Sequence, residues 1–144
     1  MGTTNISRLE GRHKKRDVNV FFAEIDFDEI ITAAEIYQLC VLPPESVVLS
    51  AVVLPIVLNN AGTSATFDLG VLAGDDLIDG GNLLTAAGTD IPSTAVPLHL
   101  PTGGILIWTA ATYGGTAPTA GKLFVYVEYL EYKQCTGELT NFAT

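Results

Sequence analysis

Residues Lys122 to Tyr132 read KLFVYVEYLEY, the longest run of β-forming side chains in the chain. Successive side chains of a strand point to opposite faces, so Leu123, Val125, Val127, Tyr129 and Glu131 fall on one side and Phe124, Tyr126, Glu128, Leu130 and Tyr132 on the other. Both sides are largely apolar. A strand wetted on one face alternates apolar with polar. One that is apolar on both faces is covered twice, by its own core and by a second layer or a neighbouring subunit. The run therefore predicts a central strand late in an all-β domain, and no residue in it suggests chemistry.

Val47 to Leu58, VVLSAVVLPIVL, has the same two-faced apolar character and predicts a second central strand, with Pro55 marking a bulge or an edge passage near its end. The turn before it, Pro43-Pro44-Glu45-Ser46, is fixed by two prolines that cannot donate to a sheet ladder. Further strands are expected at Val18 to Phe27, Ala65 to Leu72, Thr94 to Leu100 and Ile105 to Thr112. Ile30, Ile31, Ala34, Tyr37 and Leu39 fit a helical stripe as well as a strand; the favoured reading is a turn over Asp28 to Ala33, then a strand from Glu35 to Leu42. Asn59 to Ser64 and Tyr113 to Gly121 read as hairpin loops, Pro101 to Gly104 as a tight turn, and Ala73 to Ser93 as a long irregular excursion. Seven or eight strands, no long helix and one long crossing loop predict an all-β, jelly-roll-like β-sandwich with an extended N-terminal arm.

The chain has 144 residues, enough for one domain with a proper core. It is 48% hydrophobic and only 16% charged, so part of an apolar exterior is expected to be covered by partners. The net charge of −9 is unevenly distributed. Residues 1–16 hold five basic side chains, Arg8, Arg12, Lys14, Lys15 and Arg16, against the single acid Glu10, a net +4. Residues 17–144 hold two basic and fifteen acidic side chains, a net −13. The division is thus a basic extended arm, 1–16, and a β-sandwich domain, 17–144. An arm of this composition is ordered only when something holds it, and the expected holder is a neighbouring subunit or partner surface.

The search for chemistry yields no catalytic residue, cofactor site or metal site. His13 and His99 have no nucleophile and orienting acid at any known motif spacing. The Gly-Gly pairs belong to turns; no phosphate-binding glycine loop runs from a strand into a helix. Asp75, Asp76 and Asp79 depart from calcium-loop spacing and read as caps. Cys40 and Cys135 are too few for a disulfide framework and lack metal-ligand spacing; Cys40 reads as a small core residue, and a Cys40–Cys135 bridge is left open. No apolar run is long enough to span a bilayer, and the N-terminus lacks a signal-peptide core, so the expectation is a soluble chain made without a secretion step. The basic cluster His13 to Arg16 has the charge to contact phosphates, but the acidic body opposes nucleic acid. A clasp of the arm on the acidic body of an adjacent copy is preferred.

Taken together, LPPESVVLSAVV, GDDLIDGG, PTGGILIW and AGKLFVYVEYLEY resemble structural proteins of tailed bacteriophages, above all small jelly-roll head decoration (cement) proteins. The resemblance spans roughly Val18 to Tyr132 and has no catalytic residues to transfer. It implies a non-enzymatic virion protein, made in the host cytoplasm, that binds the outer surface of the head. The implied partners are the major capsid protein lattice and further copies of the chain, as a dimer or trimer, with neither membrane nor nucleic acid. On that reading Arg8, Arg12, Lys14, Lys15 and Arg16 bind the partner, and Trp108, Tyr126 and Tyr129 are candidate interface aromatics, Trp108 reading equally as a core anchor. The rival readings are a fibre-tip or receptor-binding domain and a carbohydrate-binding module using Trp108, Tyr113 and Tyr126.

Overall fold

A computed structural model describes residues 18–27, 34–72 and 74–132. Nine strands form two antiparallel sheets: β1 (Asn19–Asp26), β2 (Ile36–Leu42), β3 (Ser46–Val57), β4 (Ser64–Gly70), β5 (Ile78–Asn82), β6 (Ile91–Pro92), β7 (Leu98–Leu100), β8 (Gly104–Gly114) and β9 (Lys122–Glu131). The first sheet has the order β1-β9-β3-β6, with β7 also on β3, and the second has the order β2-β8-β4-β5. β6 and β7 pair with different stretches of β3, Val52–Val53 and Ser46–Val48, so together they make one interrupted edge strand. Each sheet is therefore four strands wide, and the order is that of a jelly roll. The expected all-β sandwich is the observed fold.

Both two-faced apolar runs lie where that pattern demands. β9 is central between β1 and β3, and β3 between β9 and the β6–β7 edge. Pro55 is tolerated because it lies beyond the pairing with β6 and beside the register shift between Pro55 and Val57. Along β9, Leu123, Val125 and Val127 point inward and are buried. They meet Leu69, Leu106, Phe67 and Trp108 of the second sheet in one core. Trp108 anchors that core: its ring stacks on Phe67 (centroids 6.0 Å) and meets Phe27 edge-on (5.8 Å).

Three expectations are corrected. Residues 59–64 and 113–121 are not hairpin loops, because each joins a strand of one sheet to a strand of the other, β3 to β4 and β8 to β9. The excursion 73–93 is not irregular throughout, since it holds β5 and β6. Its bend is held by Asp76, whose carboxylate accepts from the Val71 amide (2.6 Å) and the Leu72 amide (2.8 Å). The strand expected over Thr94 to Leu100 is confined to Leu98–Leu100. The turn placed at 28–33 and the last residues, 133–144, lie outside the described residues.

Candidate interaction face

The outer surfaces of the two sheets differ in chemistry, and strand register fixes the difference. Residues directly opposite in an antiparallel pair share a face. On the first sheet one row across the strands is Phe22, Tyr126, Val52 and Pro92, and the next is Glu24, Phe124 and Leu54. On the second sheet the corresponding rows are Asn82, Thr66 and Thr112, and then Asp68, Thr109 and Ile36. There Thr66 and Thr112 join through their hydroxyls at 2.7 Å. The first side is aromatic and aliphatic; the second is hydroxylic toward β4 and β5 but aliphatic toward β2, where Ile36 and Val41 are exposed and Val41 lies opposite Ile105.

The apolar rows of the first sheet enclose a shallow groove of about 300 Å³ lined by Phe22, Val52, Leu54, Asp90, Phe124 and Tyr126. Phe22 is 55% exposed and Val20, farther along β1, 53%. The Phe22 and Phe124 rings lie 4.7 Å apart. Acids rim this floor. Glu24 bridges Lys122 at 2.8 Å, Asp26 stands 3.8 Å from the same ammonium, and Asp90 is exposed at the β6 side. Glu128 accepts the Tyr126 hydroxyl, and that hydrogen bond is the leading cause of the raised Tyr126 pKa. Lys122 is the only Lys or Arg between Asp17 and Tyr132. The face thus combines apolar area with acidic charge that the body of the domain scarcely offsets.

The aromatics expected at an interface separate into two groups. Trp108 is fully buried, so of its two expected roles the core anchor holds and the interface role is corrected: its inward position on β8 places it in the core. Tyr129 points inward on β9 and packs against the core margin, with burial as the main cause of its raised pKa. Tyr126 alone of the three lies on the outer face. The proposed carbohydrate-binding set comes apart as well, because Trp108 is in the core and the Tyr113 hydroxyl is buried. Arg8, Arg12, Lys14, Lys15 and Arg16 lie outside the described residues, as do His13 and Cys135. Phe22 and Phe124, the main contributors to the groove, were legible only as outward positions of strands.

No group of three or more His, Cys, Asp or Glu side chains that could hold a metal is found among the described residues. Asp76 is committed to backbone amides, and Asp68 accepts from the Gly80 amide at 2.8 Å. His99 is exposed beside Tyr132, ring centroids 4.9 Å apart. Cys40 is half-buried at the β2 bulge, and burial pushes its thiol pKa up, which disfavours the nucleophilic thiolate. Among the described residues no helix is long and apolar enough to cross a membrane.

No protein family matches the chain. No curated protein matches it in sequence. Solved structures do share its fold. A chain from the capsid asymmetric unit of cyanophage Pam1 superposes with a TM-score of 0.64 at 22% identity, over 81% of this chain and 86% of that one. A chain from the capsid of Ralstonia phage GP4 superposes with a TM-score of 0.66 at 19% identity, over 81% and 85%. At such identities the likeness is one of fold.

Proposed function

We propose that this chain is a virion structural protein that decorates the outer surface of a phage head and reinforces the shell through contacts between subunits. The observation that carries the reading is the grooved aromatic outer face of the first sheet, built by Phe22, Phe124 and Tyr126 and rimmed by acids. A monomer seldom leaves so much apolar area in water, and a rigid sandwich whose outer face joins it to adjacent copies is suited to a lattice. The two phage capsid structures that contain this fold support the same reading. The arm, residues 1–16, reaches across to adjacent copies, which associate as dimers or trimers. Many weak contacts, repeated around a symmetric lattice, then sum to firm attachment.

The experiment adds purified protein to heads lacking it, images the particles and challenges them with heat. Saturable occupancy of fixed lattice positions, with DNA retained to higher temperature than in undecorated heads, is the expected result. Failure to bind heads, with the protein instead at the tail or on host cells, overturns the reading. Removal of Met1 to Arg16 is expected to leave the β-sandwich folded and to weaken head attachment; equal binding by the truncated chain counts against the arm's role.

A further inference from the structure

We propose that the outer face of the first sheet receives the basic arm of a neighbouring copy, with residues 6–16 lying across the groove between Phe22, Phe124 and Tyr126. This rests on the decoration reading for the adjacency of copies and adds to it the surface on which they join.

Charge selects the occupant. The groove is apolar at its floor and acidic at its rim, through Asp90 and Glu128, with Glu24 beside them bridged to Lys122. Two such faces brought together would set acid against acid, which disfavours a direct face-to-face dimer. The body of a second copy has few cations to offer, since Lys122 is its only Lys or Arg up to Tyr132 and already bridges Glu24. The arm supplies what is missing: Ile6 and Leu9 are apolar, and Arg8, Arg12, Lys14, Lys15 and Arg16 are basic. Arginine can cover an aromatic face and reach a carboxylate with the same side chain.

Strand direction selects the neighbour over the same chain. β1 starts opposite Tyr129 and runs toward Lys122, so the groove at Phe22 and Phe124 lies downstream of its first residue. Arg16 is only two residues before Val18. The basic run could reach its own groove only by turning back over β1, whereas an adjacent copy offers the same groove without that reversal. Residues 6–16 span up to about 36 Å when extended, enough to cross the width of an adjacent sheet.

The test places a photoreactive benzophenone amino acid at position 9, in place of Leu9, in the full chain. Light and ¹⁵N-labelled copies are mixed, irradiated in concentrated solution and on decorated heads, and the crosslinked peptides identified. Mixed-isotope crosslinks from the arm to peptides of β1 or β9 are expected. Phe22→Ser and Glu128→Lys, each on the outer face, are expected to lower the yield by about fivefold or more, as is raising the salt. Circular dichroism and thermal melts establish that both variants are folded. Same-isotope crosslinks only, crosslinks to the second sheet or to the capsid protein instead, or no mixed pairs in either preparation overturn the proposal. So does an unchanged yield in both folded variants. Head binding without copy-to-copy crosslinks sinks this inference and leaves decoration standing; copy-to-copy crosslinks without head binding do the reverse.

Discussion

Phe22 on β1 and Phe124 on β9 meet ring to ring at 4.7 Å on the outside of the sandwich, although 102 positions separate them in the chain. Aromatic pairs of this kind normally earn their place inside a core. Here the pair holds the floor of a groove, and Phe22 remains more than half exposed. Phe22→Ser should therefore change thermal stability little, while self-association, followed by sedimentation velocity, should fall by several-fold. A large loss of stability would instead mark Phe22 as a structural residue.

Trp108 is the counterpart inside. It is fully buried between Phe67, Phe27 and Tyr37. Replacement by alanine should cost about 3–5 kcal/mol in chemical denaturation, the range for deleting a large aromatic from a packed core. It is also the only tryptophan, so the native protein should emit in the blue-shifted range of a buried indole and shift to the red on unfolding. An already red-shifted native spectrum would contradict the placement.

Asp76 organises the bend between β4 and β5 by accepting from two consecutive amides. Asp76→Ala should destabilise the domain by about 1.5–3 kcal/mol, the range for hydrogen bonds to a charged group. Added calcium should not raise the melting temperature through this bend, because the carboxylate is already engaged. A calcium-dependent rise abolished by Asp76→Ala would reverse that assignment.

Tyr113 gives an alkaline signature. Burial, and then the nearby Glu35 carboxylate, push its pKa up to about 12 from an ordinary value of 10. Its folded pKa lies above its unfolded one, so between about pH 10 and 12 the native state holds a proton that the unfolded state has lost. Stability present below that window is lost as the pH rises through it. Ultraviolet titration of tyrosinate should show a late-ionising component that is absent from Tyr113→Phe, and the variant should lose less stability over the same pH range. Identical titrations of the two proteins would refute this.

The turn from β7 to β8 depends on Gly103, at φ +70°, where a Cβ would lie 2.5 Å from the Leu42 carbonyl oxygen. Gly103→Ala should cost about 1–2 kcal/mol from the left-handed conformation alone, and more from the backbone clash. Equal melting temperatures for the two chains would show that the turn can rearrange.

The long strands were legible because their side chains left few alternatives. In β3 and β9, β-branched and aromatic residues continue on both faces, and only a central strand covered on each side suits such a run. β5 was not legible, because IDGGN looks like a turn. Its glycines have structural causes: Gly80 takes φ +64°, and a Cβ on Gly81 would lie 2.4 Å from the Phe67 ring. The destinations of the loops were hidden as well. NNAGTS has the composition of a hairpin whether its strands pair or part to opposite sheets, and only the core decides between these. The candidate face was half visible, as apolar residues on the outward side of β9. The contribution of Phe22 required knowing that β1 lies against β9.

That pairing of the first strand with the last sets an order of events during synthesis. β1 is complete by Asp26, yet its partner begins at Lys122, so its ladder cannot form until almost the whole described chain has been made. The groove is subject to the same delay, since Phe22 comes early, Val52 and Leu54 midway, and Phe124 and Tyr126 late. A chain cut short before Lys122 has no such surface, and its β1 is left unpaired. The groove is thereby present only on chains made through Tyr126, and a shorter product lacks the surface while keeping the N-terminal residues.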